Sequence, residues 1–465
     1  MIQTFRPITR RRFGFSLCGL PPAFSRLAAG QDPMPWNEPA VVAKVYLAAP
    51  RVHWPKPDLD LQADIAEVEA RLADVQRKNA RWVRFTGGEL LRTDAEAGPW
   101  LERHADAADG VLIVPLSAPM QAIGPLVNGL KAPALYFSRP YAGHGWAGIA
   151  AMRGAGRKID ALATSSYGDL DPYMRIFHAA RHLRHSKVLI VGRNREKLAD
   201  AYAARFGTAY KVLDYPDLQA CFDAADSRKA GELAREFTAG ALRVVEPKPR
   251  EIHDALRFYL GVSALMRRER ANAVTVDCFG GLLAKQMPAY PCVAWSRLND
   301  QGLYGVCEGD LQSTMTQMLV TPCSGMPGFV TDPVFDLSRN EVIHAHCVAA
   351  TKMKGIDGPS YPYILRDHLE TAEGVAMQVL MPSGETITMA RFVGADRMLV
   401  STGEVTGMVE SDRGCRSQIR TRVADAAKML AGYGSGLHRV IFYGDHVRTI
   451  ERMGRMMGFR VEQEG

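Results

Sequence analysis

The chain has 465 residues, of which 47% are hydrophobic and 23% charged, a composition that excludes a disordered or low-complexity protein and is too long for one ordinary core. Lys and Arg number 57 against 50 Asp and Glu, and several arginines crowd the first dozen residues, so the excess of +7 argues for neither a nucleic-acid nor a membrane partner. No stretch reaches the ~18 unbroken apolar residues of a membrane span, and the eight cysteines form no CxxC pair, which reads as buried small hydrophobes rather than a disulfide framework.

Residues 1–35 read as a signal segment and linker. Thr9-Arg10-Arg11-Arg12-Phe13-Gly14-Phe15 resembles a twin-arginine export signal, with small residues near Ala28-Ala29 suited to cleavage, although Pro21, Pro22 and Arg26 interrupt the apolar part. The expected location is therefore extracytoplasmic, with a basic tail on a cytoplasmic protein as the alternative.

Residues 40–165 read as a Rossmann-like α/β domain. Val41 to Ala48 is a strand-length apolar run, and Ile65, Val68, Leu72 and Val75 recur at helical spacing within 61–81. Gly110 to Pro115 and Ala134 to Phe137 are further short apolar strands after helical stretches, the pattern of a parallel sheet covered on both faces. The pattern restarts over 166–328. Asp171-Pro172 is expected to cap a helix reaching His185, and strands follow at Val188–Val191, near Tyr210–Leu213, and at Val274–Val276 before Asp277-Cys278-Phe279-Gly280-Gly281. Helices are expected around 195–206 and 250–270. From 329 to 465 the texture becomes a mostly antiparallel β domain: strands at Val375–Leu380, Thr386–Phe392 and Met398–Ser401, a helix near 419–431, a strand from His438 to Tyr443, and a last helix opened by Asp445 and His446.

Chemistry concentrates in the second half. Cys307-Glu308-Gly309-Asp310 lies where an α/β domain exposes ligand groups, just before a helix from Leu311, although alone it reads as helix capping. Phe329-Val330-Thr331-Asp332 and Ile343-His344-Ala345-His346-Cys347 follow within a few dozen residues. On a strand, His344 and His346 share a face, and His344 reads as a core residue. Two carboxylates and an imidazole from consecutive segments suit Mn²⁺ or a similar divalent ion. A further candidate lies in Gly436-Leu437-His438-Arg439-Val440-Ile441-Phe442-Tyr443-Gly444-Asp445-His446.

In this order the motifs resemble the L-fucose and L-arabinose isomerases, where a Glu before a helix, a second carboxylate, a His on the next strand and a late His before an aromatic run form the metal site. The resemblance implies Glu308, Asp332, His346 and His438 as metal ligands, with Glu308 and Asp332 also the catalytic acid and base. It further implies two Rossmann-like domains followed by the β domain, an aldose–ketose isomerase acting on a pentose, hexose or derivative, and a homo-oligomer. An Asp at position 332 matches the L-fucose type better. Those enzymes are cytoplasmic and longer, so export sets this chain apart.

Three residues are candidates for the substrate: His368, Asp277, which serves an Asx turn equally well, and Arg416, which reads slightly better as a partner for a carboxylate. Gly192-Arg193-Asn194 lacks a dinucleotide fingerprint, so no NAD site is expected. The competing readings are an exported sugar-binding protein, since two Rossmann-like domains around a cleft also suit that role, and an isomerase fold with a changed reaction such as epimerisation.

Overall fold

The computed structural model describes residues 34–465, so the twin-arginine-like stretch and Cys18 lie outside the described residues. Five strands come first: β1 (Ala40–Leu47), β2 (Val83–Leu91), β3 (Gly110–Pro115), β4 (Ala134–Ser138) and β5 (Ile159–Ala163). All pair in parallel in the order β2-β1-β3-β4-β5, a doubly wound sheet. Strands β3 and β4 are buried at every residue, which is why they read as unbroken apolar runs. The helix Leu61–Lys78 buries Val68, Leu72 and Val75 and is capped by Asp60, whose carboxylate accepts from the Gln62 and Ala63 amides.

The helix Asp171–Arg184 lies against β3 so closely that a Cβ on Gly110 would fall 2.1 Å from the Phe177 ring. Its cap departs from expectation. The 3₁₀ turn Tyr167–Leu170 runs straight into the helix, so Asp171 is its first residue rather than its cap. The Asp171 carboxylate is taken instead by Lys78 and by Asn79 Nδ2, 2.7 Å away.

A second parallel sheet uses β6 (Lys187–Val191) and β7 (Ala209–Leu213), and, beyond the two-residue strand β8 (Arg243–Val244), β9 (Ala273–Val276) and β10 (Tyr304–Val306), in the order β10-β9-β6-β7. Helices Glu196–Phe206 and Pro249–Glu269 stand where expected, and two more, Tyr215–Asp223 and Ser227–Gly240, are opened by Asp214 and Asp226 caps.

The remaining strands are β11 (Phe329–Asp336), β12 (Glu341–His346), β13 (Tyr363–His368), β14 (Glu373–Val379), β15 (Thr386–Val393), β16 (Arg397–Met408), β17 (Ser417–Val423), β18 (Arg439–Tyr443) and β19 (Arg460–Gln463). The order β15-β18-β11-β12-β17-β16 is antiparallel throughout, and β16 pairs back onto β15, closing a six-stranded barrel. Closure leaves none of these six strands as an open edge. Strand β19 adds to β16 in parallel, and the β13–β14 hairpin pairs with β8.

One expected element is overturned here. Residues 419–431 were expected to be one helix, but the first part is β17 and only Ala426–Ala431 is helical, capped by Asp425. Ile419, Thr421 and Val423 are buried in the barrel while Arg420 and Arg422 alternate outward, a period of two that belongs to a strand.

Among the described residues no helix is long and apolar enough to cross a membrane, and every described cysteine is a free thiol.

Candidate metal centre

Glu308 leaves the carboxyl end of β10 in a left-handed backbone conformation, φ 64°, followed by Gly309 at φ 60°. That geometry costs a non-glycine residue on the order of 1–3 kcal/mol and persists only where neighbours enforce it. Here the Gly309 amide donates to the Val276 carbonyl at 2.8 Å, and the Gly309 carbonyl accepts from Arg195 Nε at 3.1 Å. The two reversed residues separate the carboxylates of the Glu-Gly-Asp motif: Glu308 reaches outward, while Asp310 caps the helix Leu311–Ser324 through the Ser313 amide, 3.0 Å from Oδ1.

The barrel supplies the rest. Asp332 lies on β11 opposite Ala345, His346 ends β12, and His438 immediately precedes β18, whose Arg439 faces Thr331. Neighbouring strand ends thus present these side chains on one rim, next to the Glu308 turn. One potential ligand atom from each of Glu308, Asp332, His346 and His438 lies within 4.8 Å of the others. His438 Nε2 is 3.5 Å from Glu308 Oε2 and 3.2 Å from Asp332 Oδ1. His346 Nε2 is 3.6 Å from Glu308 Oε1 and 4.0 Å from Asp332 Oδ2.

A divalent cation fits this arrangement on the chain's own polar accounting. Asp332 Oδ1, His346 Nε2 and His438 Nε2 are buried without a hydrogen-bond partner, although buried polar atoms are nearly always partnered. Three such atoms facing one point are explained together by a cation among them. His438 is moreover braced from behind: its Nδ1 lies 2.7 Å from Asp310 Oδ2, which also accepts from Arg391 Nη1 at 2.8 Å and Ser313 Oγ at 2.7 Å. A hydrogen on Nδ1 donated to Asp310 leaves the Nε2 lone pair facing the cluster, the carboxylate–histidine arrangement of a metal ligand. His346 is held the other way round, its Nδ1 accepting from the Cys347 amide at 2.8 Å, which puts the hydrogen on Nε2 in the metal-free chain.

The same contacts set the charges. Burial opposes a charged His438, but its hydrogen bond to Asp310 and the nearby carboxylates of Asp332 and Glu308 outweigh that and push it up to about 10. His346 is likewise raised, burial being overcome by Glu308 and Asp332. The His346 ring beside it holds Glu308 down, and Asp332 is lowered because His438 and His346 outweigh its burial. Without a metal, protons on the two rings stand where the cation would be.

Of the other anticipated residues, His344 is a fully buried barrel residue beside Thr331 Oγ1, pushed down to about 3 by burial and then by Arg439. Asp277 precedes the helix Cys278–Leu283 and pairs with Arg193 Nε at 3.1 Å, while its Oδ1 is buried without a partner. Arg416 is buried and committed to Asp367, donating from Nη2 to its carboxylate and from Nε to its carbonyl. His368 is buried at the end of β13, where it feels the charges of His346 and Glu308. Asp445 accepts from the Val447 amide at 3.1 Å at the start of the last helix, while the His446 ring turns back to the Tyr443 carbonyl.

Sequence reasoning missed two partners. Asp310 was expected only as a cap and also orients His438. Arg391, 4% exposed in an otherwise apolar strand, neutralises Asp310, and a charge at such an inward position was the available signal.

No protein-family model matches the chain. It is similar to curated sulfoquinovose isomerases: 22% identical over 213 residues to those of Priestia aryabhattai and Priestia megaterium, covering 44% of this chain and 47% of each relative. To the sulfoquinovose isomerase of a Clostridium species it is 24% identical over 251 residues, covering 52% of this chain and 53% of that protein. The chain spans about half the length of the curated relatives it matches. Their name is that of a sugar isomerase, the class expected from the sequence.

Proposed function

We propose that this protein is a metal-dependent aldose–ketose isomerase that moves a proton between C1 and C2 of a hexose or related sugar. The observation that carries the reading is the meeting of Glu308, from a parallel sheet, with Asp332, His346 and His438, from the barrel, around buried atoms that have no other partner. A binding protein has no need of a carboxylate–histidine set assembled from two sheets.

When bound, a divalent ion, Mn²⁺ by the oxygen-and-imidazole character of the donors, supplies Lewis acidity that polarises the O1 and O2 oxygens of the sugar. Glu308 and Asp332 would hold it with His438 and His346. The two carboxylates, both kept ionised by the neighbouring rings, also serve the proton: one removes it from C2 of the aldose and returns it at C1, while the other carries the hydroxyl proton between O2 and O1. Asp310 and Arg391 hold the His438 ring in the tautomer and orientation this needs.

The likeness to sulfoquinovose isomerases supports a sulfonated hexose as substrate. We extend the reading to a homo-oligomer, checked by light scattering, and to export directed by the arginine-rich segment, checked by fractionation.

The test is proton exchange at C2. The Mn²⁺-loaded chain is incubated in deuterated water with sulfoquinovose, L-fucose and L-arabinose, and spectra are followed for deuterium at C2 and for ketose. Metal-dependent label and ketose with one sugar is the expected result, and label with an epimer in place of the ketose would assign epimerisation. No exchange with any of them, in a chain that holds metal, would contradict the proposal.

A further inference from the structure

His368 and Glu370 stand at the end of β13 and in the turn after it, outside the four-residue cluster. Asp367, their buried neighbour, is paired with Arg416, and Arg416 adjoins Ser417, the residue opposite His346 in the β12–β17 pairing. The fields of Glu308, His346 and Asp332 reach Glu370, and those of His346 and Glu308 reach His368. The end of β13 that carries the pair thus lies near the end of β12 that carries His346.

Its hydrogen bonding is specific. The His368 ring lies against Tyr290, with centroids 5.5 Å apart, and its Nδ1 is 3.3 Å from Thr371 Oγ1. The Thr371 hydroxyl donates to the His368 carbonyl at 3.4 Å and accepts from the Tyr290 hydroxyl at 2.8 Å. With the Thr371 hydrogen so committed, Nδ1 is the donor to Oγ1, and Nε2 keeps its lone pair. Nε2 lies 3.8 Å from Glu370 Oε2, too far for a hydrogen bond, so the two atoms stand side by side. Half of the Glu370 side chain is open to solvent.

We propose that His368 and Glu370 are a second acid–base pair of this site, which opens the hemiacetal ring of the sugar before the C1–C2 proton shift. The inference rests on the reading that the site takes a sugar. A cyclic aldose carries its O1 hydroxyl and its ring oxygen on one carbon, so a base and an acid that serve them must sit next to each other. His368 Nε2 takes the O1 hydrogen, and the O–H electron pair forms the C1=O1 bond. The C1–O bond of the ring breaks, its electron pair staying on the ring oxygen, which takes the proton of the Glu370 carboxyl. The His368 imidazolium then releases its proton to solvent, the half-exposed Glu370 carboxylate takes one up from solvent, and the pair is restored. Burial keeps His368 neutral, pushed down to about 4, and burial with the charge of Glu308 raises Glu370, which suits base and acid respectively.

No step in this sequence uses the metal, so the metal-free chain should interconvert sugar anomers. The experiment follows anomer exchange of sulfoquinovose by NMR with chelator-treated protein, beside Glu370→Gln and His368→Asn. The parent is expected to exceed the buffer rate, and each variant to lose roughly 10-fold or more of that acceleration. Both variants should still take up a divalent ion, which shows that they are folded, and half-exposed Glu370 tolerates the amide even if His368→Asn does not fold. A parent no faster than buffer, or a folded Glu370→Gln that keeps the parent rate, overturns the proposal. If the parent exchanges anomers but never isomerises when loaded with metal, the isomerase reading fails and the pair stands; isomerisation without anomer exchange sinks the pair alone.

Discussion

Metal uptake at the candidate centre would displace protons, and the size of the effect follows from the His438 environment. In the metal-free chain that ring is pushed up to about 10 by Asp310, Asp332 and Glu308 against the effect of burial. A ligating imidazole must be neutral. Below its raised pKa the proton therefore competes with the cation, and affinity falls on acidification. One proton released per ion makes affinity change tenfold per pH unit, so Mn²⁺ should bind about 100-fold more tightly at pH 8 than at pH 6, a difference of roughly 2.7 kcal/mol. The assay is competition against a chelating indicator at pH 6, 7 and 8, with calorimetry in buffers of different ionisation enthalpy to count protons. Replacing Asp310 by Asn removes a main partner that holds His438 charged, so the ratio between pH 8 and pH 6 should shrink. Equal affinity across the range in the parent, or uptake without proton release, would refute the reasoning.

Because Asp310 accepts from His438 Nδ1 and so directs Nε2 to the ion once its proton is displaced, whereas the Cys347 amide donates to His346 Nδ1, His438→Ala should lower metal affinity about 10-fold more than His346→Ala; equal losses would contradict the assignment. His178, His182 and His344 are buried neutral, pushed by burial to about 4, 3 and 3. Below about 6.5 the unfolded chain binds protons that these rings refuse, so folding stability should fall between pH 6 and pH 5 by up to ~1.4 kcal/mol per ring, and an unchanged urea midpoint would count against it. Gly110→Ala drives a methyl group into Phe177 and should cost about 1–3 kcal/mol in thermal unfolding while metal stoichiometry stays the same; an unchanged melting temperature would mean that the helix gives way.

The parts that were legible in the sequence are those whose signal is local. Strands β3, β4, β6 and β9 are buried on both faces, so each shows as an apolar run of strand length. The four residues that meet at the metal centre were legible in their order along the chain, which is what the family resemblance reads. Residues 419–431 misled because a strand and a short helix follow each other with only Ala424 and Asp425 between them. What remained hidden is tertiary. The bond from Asp310 to His438 spans 128 positions, and the tie of Arg391 to Asp310 spans 81.

The most direct measurement is the metal content of the purified chain grown with manganese, beside Glu308→Gln and His438→Ala. About one divalent ion per chain in the parent and a large loss in both variants is the predicted result. A folded parent that holds no ion, or variants that keep the parent's full complement, would contradict the claim that these side chains form a metal centre.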